Sequence, residues 1–212
     1  MSEPPETGPE ADASDGDGRP AQQRITELDA LKVFTHPLRI RLYRALYTAG
    51  EATASHLADQ VDEAVSLVSY HLRRLAAHGF IAEAPGHGRD GRERWWRLSA
   101  ERGFSFRTTD FGDRPESLAV LSQVTRQLLA TRSERYEQYL DEQAAWSRAW
   151  TGAAFSSEYL PRLTSDELQG LADELAAVME RWSERGRAAV AAGDTEGREH
   201  VSVQMYGFPV RD

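Results

Sequence analysis

Cysteine is absent from the 212 residues. That removes disulfides, thiolate metal sites and thiol redox sensing in one step. Lysine is nearly absent too: Lys32 stands alone, and every other basic residue is arginine. No run of 18 apolar residues occurs, so no membrane span is expected. The opening residues lack a basic region followed by an apolar one, so no secretory signal is expected. Catalytic signatures are missing as well. There is no G-x-S-x-G and no phosphate-binding glycine loop. Gly86-His87-Gly88 reads as a turn, and the paired acids Asp166-Glu167 are explained by helix capping. The six histidines (36, 56, 71, 78, 87 and 200) include no pair at i, i+3 or i, i+4, and zinc geometry is poorly served by His71 and His78 two turns apart. Neither an enzyme nor a bound cofactor or metal is expected. A hydrophobic share of 40% supports a packed core, and charged residues at 28% give a wet surface. A cytoplasmic protein is the expectation.

The net charge of -9 hides a split. Residues 24–98 hold 11 basic and 9 acidic groups; the remainder holds 14 and 25. From Ala64 to Arg97 there are six arginines against Glu83, Asp90 and Glu93. Phosphate attraction is decided by local charge within a Debye length of ~10 Å, so the global acidity does not exclude a nucleic-acid partner. The small basic surplus predicts modest non-specific affinity.

Asp62 to Gly79, DEAVSLVSYHLRRLAAHG, sorts cleanly on a helix. Val68, Leu72, Leu75 and Ala76 form an apolar stripe. Ser66, Ser69, Tyr70, Arg73 and Ala77 form a second one carrying hydroxyls, a phenol and a guanidinium but no acid. Such a face suits the major groove of DNA, where short polar groups and arginine meet base edges and phosphates. An ordinary solvated helix is the competing reading, and the flanks decide between them. Upstream, Ile25–Phe34 reads as a short helix with Leu28, Leu31 and Val33 apolar. Pro37 opens a second helix at a position where its missing N–H is harmless. Leu38, Leu42, Ala45 and Leu46 are its buried stripe, and Gly50 stops it. Thr53 caps a helix over Ala54–Gln60 with Leu57 and Ala58 inward. A turn at Val61-Asp62 then leads into the polar-faced helix, which completes a helix-turn-helix. Asp62 and Glu63 favour the start of that helix through its dipole, yet their charge would repel phosphate. Phe80–Ala84 and Glu93–Ser99 read as a hairpin around the glycine-rich turn Pro85–Gly91, a wing bearing Arg89, Arg92 and Arg94. Of Trp95 and Trp96, one is expected in the core and the other at an edge. Residues 1–23, rich in Glu, Asp, Gly and Pro, read as an acidic disordered tail.

Residues 25–99 resemble the winged-helix domain of ArsR-type bacterial transcription regulators. The carrying residues are His36-Pro37-Leu38-Arg39-Ile40-Arg41-Leu42, Thr53-Ala54-Ser55-His56-Leu57-Ala58, Leu67-Val68-Ser69-Tyr70-His71-Leu72-Arg73-Arg74-Leu75, Gly79-Phe80-Ile81 and Gly91-Arg92-Glu93-Arg94-Trp95-Trp96. The resemblance covers about a third of the chain. It implies a dimer that reads a near-palindromic site on double-stranded DNA. By position it implies DNA contacts from Ser66, Ser69, Tyr70 and Arg73, flanked by His71 and Arg74. Arg89, Arg92 and Arg94 would hold phosphates. Metal-sensing members use cysteine pairs or His and acid clusters, which this chain lacks.

In the C-terminal half, Gly103–Thr108 alternates like a strand. Pro115 to about Trp150 reads as one long helix with Leu118, Leu121, Val124, Leu128, Tyr136 and Leu140 along it. Thr164 and Glu167 make a capping box for a helix expected to bury Leu168, Leu171, Leu175, Val178, Met179 and Trp182. His200–Val210 alternates at Val201, Val203 and Met205 and is expected to pair with Gly103–Thr108. A long helix with a sustained apolar stripe suggests dimerisation. Trp146, Trp150, Phe155, Tyr159 and Trp182 would line an effector pocket or, the stronger reading, serve as core.

The expected architecture is mainly α with small β (α+β): an acidic tail (1–23), a winged helix-turn-helix DNA-binding domain (24–100), and a domain (101–212) of two long helices and a small antiparallel sheet for dimerisation and a small-molecule effector. The expected function is a sequence-specific DNA-binding transcriptional regulator, a repressor acting as a homodimer without membrane association. The alternative is a winged-helix protein-interaction module that does not bind DNA.

Overall fold

The computed structural model of the protein describes residues 23–85, 93–101 and 103–211, together with the two-residue strands β1 (Ser14–Asp15) and β2 (Arg19–Pro20). β1 and β2 pair antiparallel. The rest of the expected acidic tail lies outside the described residues, as do Arg89 and Arg92 of the wing tip. The chain divides into two compact units, residues 1–140 and 141–212.

The first unit grows from β3 (Gln23–Arg24) and α1 (Leu28–Lys32), which tightens into a 3-10 turn over Val33–Thr35. α2 (Pro37–Ala49) has proline at its first turn, and Gly50 ends it at φ 73°, a left-handed value glycine reaches without strain. A short strand that periodicity does not reveal, β4 (Glu51–Thr53), runs directly into α3 (Ala54–Val61). The Thr53 hydroxyl accepts from the His56 N–H at 3.2 Å, as the capping signal predicts. α4 (Val65–Ala77) follows the turn, then β5 (Ile81–Glu83) and β6 (Trp95–Leu98). The sheet order is β4-β6-β5, antiparallel throughout, with Ala52 and Glu83 flanking Trp96 in register. Trp96 is buried and Trp95 half-buried, which resolves the tryptophan pair as expected.

The core forms where these elements converge. Val68, Leu72 and Leu75 of α4 meet Leu38, Leu42 and Leu46 of α2 and Leu57 of α3, all buried. Beneath them lies an aromatic group: Phe34 stacks on Phe104 at 4.2 Å and meets Phe80 edge-on at 4.6 Å. Phe104 sits on β7 (Phe104–Ser105), which pairs in parallel with β3. The expected partner, His200–Val210, forms no strand. Both segments alternate, but the N-terminal strand takes the edge. α5 runs over Pro115–Glu142, and its first turns contribute Leu121 and Val124 to the same core. Leu118, Tyr136 and Leu140, expected on the same stripe, are exposed.

α5 stops at Glu142 rather than continuing to Trp150. A 3-10 turn at Gln143–Ala145 and an extended Trp146 interrupt it. The Ser147 hydroxyl accepts from the Trp150 N–H at 3.4 Å and starts α6 (Arg148–Ala153). In the second unit α7 (Ser165–Ala191) begins with the expected capping box, Thr164 and Glu167 exchanging hydrogen bonds at 2.7 and 3.2 Å. No described residue of this unit is buried. Leu171, Leu175, Val178 and Trp182 face solvent, contrary to the expected core. An amphipathic period identifies a face that seeks cover, and does not say that its own chain supplies the cover.

Leu72 lies at the centre of the α2–α3–α4 contact and is fully covered. Leu72→Ala is expected to cost about 2–5 kcal/mol of stability, read from urea unfolding followed by circular dichroism.

Candidate nucleic-acid interface

α4 presents its face because its other side is locked. The period that buries Val68, Leu72 and Leu75 also turns His71 inward. His71 is 4% exposed, so it does not share the open face of the residues expected to meet DNA; it belongs to the buried stripe, three residues after Val68 and four before Leu75. Ser66, Tyr70, Arg73, Arg74 and Ala77 are exposed and Ser69 is half-buried. Val65 and Leu67 are exposed beside them. Helical periodicity does not single these two out, because it marks only the inner stripe; on a groove-facing helix they suit the thymine methyl.

The turn before α4 is tied down in a way that answers the objection from Asp62 and Glu63. Asp62 is the left-handed C-cap of α3 at φ 52°, ψ 57°, a conformation aspartate tolerates better than most side chains. It does not cap α4, whose N-cap is Ala64 without a side-chain hydrogen bond. Glu63 forms an ion pair with Arg41 of α2 at 3.6 Å. The same Arg41 donates from Nη2 to the Val61 carbonyl. One arginine thus holds the backbone of the turn and offsets its acid. On the wing, Arg94 pairs with Glu83 across the strands at 3.2 Å, both well exposed. In water such a pair contributes little.

Where α2 meets α4, the rings of His36 and His71 lie 4.4 Å apart at 47°. His36 Nδ1 accepts from the Leu38 N–H at 3.2 Å, capping α2. His71 Nδ1 is buried with no hydrogen-bond partner. Burial first, then the Arg39 charge, lowers the His36 pKa, with Glu63 opposing. For His71 burial again leads, followed by His36 and Arg39, and Glu63 again opposes. Among the described residues no three His, Asp or Glu side chains gather as metal ligands. No helix among them is long and apolar enough to cross a membrane.

Residues 34–84 match the family described as a helix-turn-helix domain. None of the curated proteins matches the chain. Among solved structures, similarity is found to the AntR antimony-specific transcriptional repressor, at 23% identity over 51% of this chain and 79% of that one, TM-score 0.32. Disulfide-formed AbfR is similar at 16% identity over 56% and 73%, TM-score 0.31. A mutant MarR from E. coli complexed with operator DNA is similar at 16% identity over 71% and 83%, TM-score 0.28. The domain match and the packing of α3 and α4, rather than these distant similarities, mark residues 34–84 as a helix-turn-helix.

The histidine pair yields a pH dependence. Both pKa values lie below the ordinary 6.5 in the fold, so the unfolded chain takes up protons first as pH falls. Stability from this contact is complete above 6.5 and is lost as pH drops through the folded values. Thermal melts between about pH 7.5 and about pH 5 should show a falling midpoint in the wild type and a flatter profile in His71→Leu. Identical profiles would rule out His71 as its source.

Proposed function

We propose that the chain is a sequence-specific, DNA-binding transcription regulator of the ArsR type. It acts as a repressor and as a homodimer on a near-palindromic site. The observation that carries this reading is α4: its inner face is fixed in the core, and its outer face offers Ser66, Tyr70, Arg73 and Arg74 on a turn whose acid is neutralised by Arg41. In this reading the exposed polar face enters the major groove, with Ser66, Ser69, Tyr70 and Arg73 at base edges and Arg74 at its margin. The wing arginines, Arg89, Arg92 and Arg94, hold the flanking backbone. Residues 24–100 bind DNA and residues 101–212 dimerise and take up a small-molecule signal. The role is one of binding, carried out in the cytoplasm.

Two copies are favoured by the surface left in water. Leu171, Leu175, Val178 and Trp182 recur at four, three and four residues along α7, and all are exposed. Leu129, Tyr136 and Leu140, seven and then four residues apart, are likewise exposed on α5. Contiguous apolar faces of this kind mark interaction sites. A dimer would set two α4 helices about one helical turn of DNA apart, ~34 Å. A signal that alters the angle between them would release DNA, since both halves must fit at once. The exposed Val65 and Leu67 beside Tyr70 favour a second reading, a protein-docking module without DNA binding.

Two measurements test this. Sedimentation should give a dimer, and Leu175→Glu with Val178→Glu should give a monomer with weakened operator binding. Binding to fragments of the chain's own upstream region should be specific and should weaken steeply with salt. Arg73→Ala should lose sequence preference. Absence of binding at about 50 mM salt, where phosphate contacts are strongest, would favour the docking module.

A further inference from the structure

We propose that Arg39 of α2 and Arg74 of α4 form a clamp for a single backbone phosphate of DNA. The clamp joins α2 to α4 and rests on the reading that α4 enters the groove.

The geometry begins at the histidine contact. α2 and α4 meet at His36 and His71. Arg39 lies three residues beyond His36, close to one helical turn, and its N–H donates to the His36 carbonyl at 3.1 Å. Arg74 lies three residues beyond His71. Both arginines thus sit about one turn beyond the point where the two helices touch. The Arg74 charge reaches Arg39: burial first, then that charge, lower the Arg39 pKa, with Tyr70 opposing.

What this pair lacks is an anion. Neither arginine has an ion-pair partner among the described residues. Arg41, two residues further along α2, is by contrast committed to Val61 and Glu63, so the acid of the neighbouring turn is already engaged. Arg39 is half-buried, and its Nε is fully buried with no hydrogen-bond partner. A buried donor left unsatisfied costs free energy. Two adjacent cations add repulsion to that cost. A tetrahedral oxyanion relieves both, because guanidinium forks bind phosphate oxygens through paired N–H bonds. Arg74 is exposed on the C-terminal half of α4, away from Ser66 at its start. That places the anion beside the groove rather than within it. The clamp therefore sets how deep and at what tilt α4 sits, and reads no bases.

The expected signature separates a shared phosphate from two independent contacts. On duplexes of the upstream sequence and of random sequence, Arg39→Gln and Arg74→Gln should each weaken binding by the same factor on both. The double variant should lower the salt slope by about 0.9 per subunit bound and add little to either single loss. Arg39→Lys should fall between wild type and Arg39→Gln, since it keeps charge but not the fork. Arg74 is exposed, so Arg74→Gln is expected to fold normally even if Arg39→Gln does not. Unchanged slopes in variants of a DNA-binding wild type would overturn the clamp alone. So would additive losses, or a loss confined to the upstream sequence. A wild type that binds no duplex would overturn the clamp together with the proposed function.

Discussion

The packing of Val68, Leu72 and Leu75 against α2 and α3 is the contact on which the rest of the molecule depends. A helix of 13 residues is marginal alone, and α4 has neither a capping side chain nor an acid in its first turn. Its stability comes from the face it buries. That burial also fixes its rotation about its own axis, and rotation decides which side chains are offered outward. Turned by one residue, α4 would point Leu72 at the solvent and Arg73 at the core. The chemistry of the surface is thus set by the apolar residues behind it.

Electrostatics follow the same logic of local arrangement over total charge. A chain with net charge -9 would be repelled by a polyanion if its charge were spread evenly. Here the acids near the candidate interface are engaged: Glu63 with Arg41, and Glu83 with Arg94. Asp62 serves a backbone role at the left-handed turn. The residues that look like an objection in the sequence belong to the machinery that holds the turn.

Much of the first unit is legible because its signals are local. Pro37, Gly50, Thr53 and the α4 stripe each mark an element through its own neighbours, and strand alternation says that Trp95 and Trp96 cannot both be core. The misses have a common cause in non-local choice. β4 is three residues long and exists because Trp96 lies opposite. His71 carries a polar label, yet the helical period puts it inside, and weighing period above residue type would have found it. The alternation of Gly103–Thr108 says strand but cannot name its partner across the chain. On α7 the stripe is visible and its burial is not, since one sequence does not say which molecule covers a face. At the candidate interface, Ser66, Tyr70 and Arg73 emerge outward as their spacing predicts, and Arg74, which the resemblance alone named, is exposed beside them. Val65 and Leu67 carry no such signal, because an apolar residue off the inner stripe looks the same whether it meets water or a partner.

The parallel pairing of β3 with β7 has a consequence for the start of the chain. The Gln23 N–H donates to the Gly103 carbonyl at 3.0 Å, and that of Ile25 to the Ser105 carbonyl at 2.8 Å. Arg24 adds an ion pair to Asp110 at 2.6 Å, and the buried Ile25 joins the core. Residues 23–25 therefore cover Phe104 and its stack on Phe34. Trimming the chain past Ile25 would bare a sheet edge beside an aromatic core, the kind of edge on which chains aggregate.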